Sequence, residues 1–415
     1  MNLSGKPLAF QAMVKPIGST CNLNCRYCYY LEKKNLYNNV HDFRMKKETL
    51  ESYIRQYIAT QNVPQVTFVW QGGEPSLLGL DFFKDVIEFQ QKYAGSKKID
   101  NCFQTNGTLL DDEWCTFFKK NKFLVGLSID GPEFIHNSNR VSSKGKPSFK
   151  QVMKSLELLN KHNVEFNTLS VVDRNNSNYP LEIYHFLKEA GSRYLQFIPI
   201  IERKLSYPDA NGLTLVTQEN RNAVVTDWTV RPENYGDFII HIFDEWVRND
   251  VGKYFIQLFD VTLANSLGMP SGLCIFSDKC GDAPVVEFNG DVYSCDHYVY
   301  PQYFLGNIMT KSLYSIMRSA EQLNFGEKKL KELPDYCIKC QYRFACHGGC
   351  PKHRFCNTPD GKPGLNYLCK AYKKIFNYVH PYMQYMGNEL KNRRPPANVM
   401  NWAKGIALYN QTEQL

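Results

Sequence analysis

The chain has 415 residues, of which 43% are hydrophobic and 22% charged, an ordinary globular composition. Its length exceeds the ~250–300 residues at which single cores stop growing, so one large domain plus a smaller one is expected. The formal charge of +8 is modest and its basic residues read as scattered, which argues against a nucleic-acid-binding patch.

In chain order, apolar β-rich segments fall at 8–14, 66–70, 99–104, 123–129, 165–172 and 194–200. Segments with helical spacing lie between them at 46–60, 80–94, 111–120, 148–162 and 178–190. Six strands alternating with helices predict a parallel α/β sheet with right-handed crossovers, an incomplete barrel of six βα units with one open side. The strand ends carry Gln71-Gly72-Gly73-Glu74-Pro75, Gln104-Thr105-Asn106-Gly107 and Ser128-Ile129-Asp130-Gly131-Pro132. In parallel α/β architectures, ligands sit at the carboxyl ends of the strands.

After about residue 202 the rhythm breaks. A helix is expected at 235–248, followed by a cysteine-dense segment from Cys274 to Cys369 whose Gly, Pro and short strands suit a small fold stapled by metals. Beyond Lys370 the pattern reads as helix, kinked at Pro381 and stopped by Pro395-Pro396. No stretch approaches ~18 consecutive apolar residues, so no membrane span is expected. Met1–Pro16 lacks a cationic segment followed by an apolar run and a cleavage site, which points to a cytoplasmic location. In that reducing setting the clustered cysteines among the 14 read as metal ligands rather than disulfides.

Cys21, Cys25 and Cys28 form a CxxxCxxC pattern just after the first predicted strand. Three thiolates on one loop can hold three irons of a cubane cluster and leave the fourth open, the logic that separates catalytic from structural metal sites. Gly72-Gly73 at the second strand end lets backbone approach a ligand closely. Downstream, Cys274, Cys280 and Cys295 precede Cys337, Cys340, Cys346, Cys350 and Cys369, enough for two four-thiolate sites. On spacing alone these suit zinc equally well. Cys102, Cys115 and Cys356 are left without a role, Cys102 reading as a buried apolar residue of a strand.

The sequence resembles the radical S-adenosylmethionine (SAM) family: Cys21, Cys25, Tyr27 and Cys28 match its CxxxCx(aromatic)C signature, and Gly72-Gly73-Glu74-Pro75 its glycine motif. The resemblance implies that SAM chelates the open iron and is cleaved reductively to a 5′-deoxyadenosyl radical, which removes hydrogen from an unactivated C–H bond. It also implies SAM contacts from Tyr27, the backbone at Gly73, Ser128, Arg140 and Ile201. The run Cys280-x9-Gly290-x4-Cys295, with Cys337-x2-Cys340-x5-Cys346-x3-Cys350 and Cys369, resembles the SPASM domain. That resemblance implies two auxiliary [4Fe–4S] clusters, one on Cys274, Cys280, Cys295 and Cys350, the other on Cys337, Cys340, Cys346 and Cys369, and so three clusters in all. The implied organisation is a partial (β/α)6 radical SAM barrel over 1–235, a SPASM domain over 236–385 and a tail over 386–415.

Within this group the stretch Tyr293-Ser294-Cys295-Asp296-His297-Tyr298-Val299-Tyr300-Pro301, ending at Leu305-Gly306-Asn307-Ile308, resembles the anaerobic sulfatase-maturating enzymes. These convert an active-site Cys or Ser of a sulfatase polypeptide to Cα-formylglycine, with an electron donor such as flavodoxin or ferredoxin. Asp296, beside Cys295, is then the candidate base, Tyr30 a candidate substrate contact and His297 a supporting residue. The competing expectations are a SPASM maturase that crosslinks a precursor peptide, and a scaffold with zinc or iron–sulfur sites.

Overall fold

The computed structural model describes residues 9–406 and Leu408; Leu8 of the first expected strand and the end of the expected tail lie outside the described residues. Six parallel strands run β1 (Met13–Lys15), β2 (Gln65–Trp70), β3 (Lys98–Thr105), β4 (Phe123–Ser128), β5 (Phe166–Val172) and β6 (Tyr194–Pro199), hydrogen-bonded in that order. Helices Lys47–Thr60, Leu80–Tyr93, Asp112–Lys120, Phe149–Lys161, Pro180–Glu189 and Pro232–Asn249 complete six βα units. The ring does not close, because β1 and β6 each pair with a further strand rather than with each other. This is the partial barrel that the alternation predicts.

Alternation on β2 places Phe68 and Trp70 on the helix side, both fully buried. They join Tyr53, Tyr57, Phe83, Phe103, Trp114 and Phe118 in a continuous aromatic layer with ring centroids 4.9–6.2 Å apart. Truncating one such ring should cost about 3–5 kcal/mol, so this layer is what holds the strand ends in place.

The first strand begins later than its apolar pattern suggests. The Phe10 amide donates to Gln61 Oε1 (3.3 Å) and the Ala12 amide to the Tyr57 hydroxyl (3.2 Å). Side chains of Tyr57 in the first helix and of Gln61 just after it thus satisfy backbone groups that a neighbouring strand would otherwise take.

The cysteine-dense segment is not a separate body with its own sheet. Val285–Glu287 pairs in parallel with β1, in register Met13↔Val285 to Lys15↔Glu287, and Asp291–Tyr293 and Phe304–Asn307 extend it antiparallel. Gly290, at φ +90°, makes the tight turn between Glu287 and Asp291. At the far edge, Phe255–Ile256 pairs with β6, so one ten-stranded sheet crosses both halves. The helix Cys369–Lys391 runs through Pro381 and packs on Pro232–Asn249, with Phe243 and Tyr382 rings 5.3 Å apart. Val399–Ala403 folds back onto it through Trp402, 5.1 Å from Tyr385.

Candidate active site

The carboxyl ends of β1–β6 surround a cavity of about 420 Å³ lined by Cys21, Cys25 and Cys28. The loop carrying these thiols is clamped by the glycine motif. The Gly73 amide donates to the Gly18 carbonyl (2.7 Å) and the Glu74 amide to that of Thr20 (2.9 Å). A Cβ on Gly73 would stand 1.9 Å from the Thr20 oxygen. Glycine is therefore needed for contact between two stretches of backbone, as well as for any approach of a ligand. Glu74 is wholly buried and accepts hydrogen bonds from the Ser76 amide and hydroxyl, the Thr105 hydroxyl and the Asn106 amide, at 2.6–3.0 Å. It ties the motif after β2 to Gln104-Thr105-Asn106-Gly107 after β3.

Tyr27, Gly73, Ser128, Arg140 and Ile201, the five candidate SAM contacts, all line this cavity. Asp130, fully buried, organises two of them: the Tyr27 hydroxyl donates to its Oδ2 (2.5 Å), and Arg140 Nε lies 3.0 Å from the same atom. Ser128 accepts a hydrogen bond from Gln104 Nε2 (3.0 Å).

Asp296 lies on the opposite wall, in the turn after Cys295. Lys15 Nζ stands 2.6 Å from Asp296 Oδ1, and the Tyr29 hydroxyl donates to Oδ2. Burial alone would raise the Asp296 carboxyl, but the Lys15 ammonium and the Tyr29 hydroxyl outweigh it and hold the group below the usual carboxylate range. Lys15 also donates to Gln71 Oε1 (2.9 Å) and sits 4.1 Å over the Tyr30 ring. The Tyr30 ring lines the cavity, but its hydroxyl is committed to Glu287. His297 faces the same cavity, with Nδ1 3.9 Å from Cys350 Sγ, and burial lowers it to about 4, which keeps it neutral.

The remaining thiols gather into two groups. Cys274, Cys280, Cys295 and Cys350 lie within electrostatic reach of one another. Cys337, Cys340, Cys346 and Cys369 line a single cavity, with Cys356 close to Cys369. Cys115 is buried in helix Asp112–Lys120 and Cys102 half-buried in β3. All 14 cysteines are unpaired. Burial pushes Cys21, Cys25, Cys280 and Cys346 up to about 12 and Cys369 to about 11. Such thiols keep their protons until a metal cation displaces them. One set of three and two sets of four sulfur donors, gathered in this way, fit one open and two fully ligated iron–sulfur clusters.

Residues 16–187 match the Radical SAM superfamily and residues 280–341 the SPASM iron–sulfur cluster-binding domain. The chain is 52% identical to the serine-type anaerobic sulfatase-maturating enzyme of Bacteroides thetaiotaomicron, over 97% of both chains. It belongs to the anaerobic sulfatase-maturating enzymes. The cysteine-type enzyme of Clostridium perfringens is 35% identical over 91% of this chain and 98% of its own. The solved structure of native anSMEcpe with bound AdoMet and the Cp18Cys peptide superposes with a TM-score of 0.80 at 34% identity, covering 92% of this chain and 99% of that one. As a radical SAM sulfatase maturase, the protein uses SAM and three [4Fe–4S] clusters.

Family membership leaves open which side chains serve the reaction, and sequence reasoning missed several that the cavity gathers. Lys15, Tyr29, Gln71, Glu202 and His353 all line it. Buried Lys352 places Nζ 2.8 and 2.9 Å from the two oxygens of Glu202, closing a second internal ion pair. A lysine ending an apolar strand just before Pro16 was the available signal for Lys15, since such a charge is buried only with a partner.

Proposed function

We infer that the protein oxidises an active-site serine or cysteine of a sulfatase polypeptide to Cα-formylglycine, with serine the preferred target and Asp296 the base. The observation that carries this reading is the position of Asp296: a partly buried carboxylate beside Cys295, paired with Lys15 and facing the cavity that holds Cys21, Cys25 and Cys28. When bound, SAM and the open cluster supply hydrogen-atom abstraction from Cβ of the target. The chain itself must then accept the proton of the target hydroxyl or thiol, and the one electron left on the target would pass to an auxiliary cluster. Loss of the Cβ hydrogen makes that group far more acidic, so a carboxylate of low pKa suffices. Lys15 and Tyr29 hold both Asp296 oxygens, which fixes the carboxylate's orientation before the target arrives.

Tyr27, Gly73, Ser128, Arg140 and Ile201 are assigned to SAM, the three cavity thiols to the open cluster and the two quartets to the auxiliary clusters. Serine preference is supported by the 52% identity to a serine-type enzyme, against 35% to a cysteine-type one. The unpaired thiols suit a cytoplasmic setting, and an electron donor of flavodoxin or ferredoxin type completes the reaction. Among the described residues no helix is long and apolar enough to cross a membrane.

The test is anaerobic incubation of the reconstituted enzyme with SAM, dithionite and sulfatase-derived peptides carrying Ser or Cys, read by mass spectrometry. Formylglycine is expected from both, faster from the serine peptide. An intramolecular crosslink, or SAM cleavage with no aldehyde, would overturn the reaction; faster conversion of the cysteine peptide would overturn the preference alone.

A further inference from the structure

Arg354, in the cysteine-rich half, is a buried cation, 8% exposed, held by main-chain oxygens. Its Nε donates to the Gly348 carbonyl (3.0 Å), Nη1 to that of Lys329 (2.6 Å) and Nη2 to those of His347 (2.9 Å) and Gly349 (3.3 Å). His347, Gly348 and Gly349 follow one another in the left-handed region, at φ +45°, +74° and +62°. That run, eased by two glycines, turns three successive carbonyls onto one guanidinium. The fit is close: a Cβ on Gly348 would stand 2.8 Å from Arg354 Nη2.

The loop that Arg354 clasps joins the two four-thiol sets, because Cys346 belongs to one and Cys350 to the other. Its guanidinium lies within charge range of Cys280 and Cys350 of the first set and of Cys337 and Cys346 of the second. Lys329, fully buried, donates to the Cys274 and Ile275 carbonyls (2.6 and 3.1 Å) and neighbours Cys274, Cys280 and Cys350 of the first set. Carbonyl dipoles solvate a guanidinium but leave its charge unmatched, and an arginine does not shed that charge by losing a proton. A buried charge without a counter-ion is costly. Arg140 meets that demand with Asp130. Around Arg354 the groups that can supply the opposite charge are the thiols, once they bind metal.

We propose that Arg354 is the shared counter-ion of the two auxiliary clusters and holds both at a higher potential than their thiolates alone would give. Four thiolates around an iron–sulfur core carry net negative charge, and one added electron deepens it with no bond made or broken. A fixed cation nearby favours the reduced form, and one set between two such centres favours it in both. Arg354 does not line the cavity that holds Asp296, so it acts on the reaction only through the clusters, as a positioning residue. The inference rests on the assignment of the two quartets to auxiliary clusters made above.

The experiment is an anaerobic potentiometric titration of reconstituted holoenzyme, with the reduced auxiliary clusters read by electron paramagnetic resonance and iron counted in each sample. In Arg354→Gln both auxiliary potentials should fall. At the potential that half-reduces wild type, the ratio of reduced to oxidised cluster should drop roughly ten-fold, which is ~59 mV for one electron. Arg354→Lys keeps the charge without the planar fork and should stay near wild type. If Arg354→Gln sheds iron that Arg354→Lys keeps, the sites need the charge and the proposal stands. Loss of iron in both variants would make the residue a clasp for the loop and overturns it. So do wild-type potentials in Arg354→Gln, or a fall in one cluster only. Wild-type protein holding about four irons in place of about twelve would sink the quartet assignment instead, so the two failures are distinguishable.

Discussion

The two ends of this molecule handle charge in opposite ways. Around the cavity with Cys21, Cys25 and Cys28, each buried cation has a matched anion: Lys15 with Asp296, Arg140 with Asp130 and Lys352 with Glu202. Along the segment that carries the quartet Cys337–Cys369, Lys362, Lys370 and Lys374 instead pair with Asp335, Glu233 and Asp237 at sites open to solvent. Pairing in the interior offsets a desolvation penalty of roughly several kcal/mol per ion and fixes each group's direction. Exposed charge contributes little stability but reaches across solvent. The difference teaches where a group must be held in one direction and where charge is left to solvent.

Cys25→Ala breaks the comparison at its chemical end and should abolish SAM cleavage altogether, measured as 5′-deoxyadenosine by chromatography. Cys340→Ala tests the other end: SAM cleavage should persist while iron content falls by roughly a third and formylglycine yield drops. Equal loss of cleavage in both variants would erase the distinction. Asp296→Asn should lower formylglycine yield by about 10²–10⁴-fold with SAM cleavage retained. Wild-type yield would remove Asp296 from the mechanism.

A smaller effect sharpens the role of burial. Burial pushes Glu287 from its ordinary 4.5 up to about 7. Between those values the folded protein holds a proton that the unfolded chain has released, so stability falls as pH rises from about 4.5 to about 7. At ~1.4 kcal/mol for each pH unit the loss approaches ~3 kcal/mol. Glu287→Gln should flatten that part of the anaerobic unfolding profile; an unchanged slope would mean that Glu287 does not carry it. Smallest of all, Lys161→Ala deletes a solvent-exposed pair with Asp112 and should leave the denaturant midpoint indistinguishable from wild type.

Much of this was legible in the sequence because the signals are local. Strands β2–β6 and the helices between them follow from short-range periodicity, and their ends fall within a few residues of expectation. The cysteine motifs carry their chemistry in spacing. What was not legible depends on pairing across long stretches of chain. Lys15 meets Asp296 across 281 positions, and Glu202 meets Lys352 across 150. Tyr29 and Tyr30 are neighbours whose hydroxyls go to different carboxylates, Asp296 and Glu287, and nothing in a Tyr-Tyr doublet says which goes where. The short first strand was overextended because side chains of Tyr57 and Gln61 satisfy its backbone.

The hydrogen-bonded register Met13↔Val285, Val14↔Val286, Lys15↔Glu287 acts as a ruler between the barrel and the cysteine-rich half. It sets the distance from the barrel's lysine to Asp296 by main-chain geometry, where a linker would leave it adjustable. A chimera that grafts another maturase's C-terminal half must reproduce this alignment to the residue. A slip of one position would turn Glu287 and its neighbours to the opposite face of the sheet, and the two halves could each fold while no longer sharing a workplace.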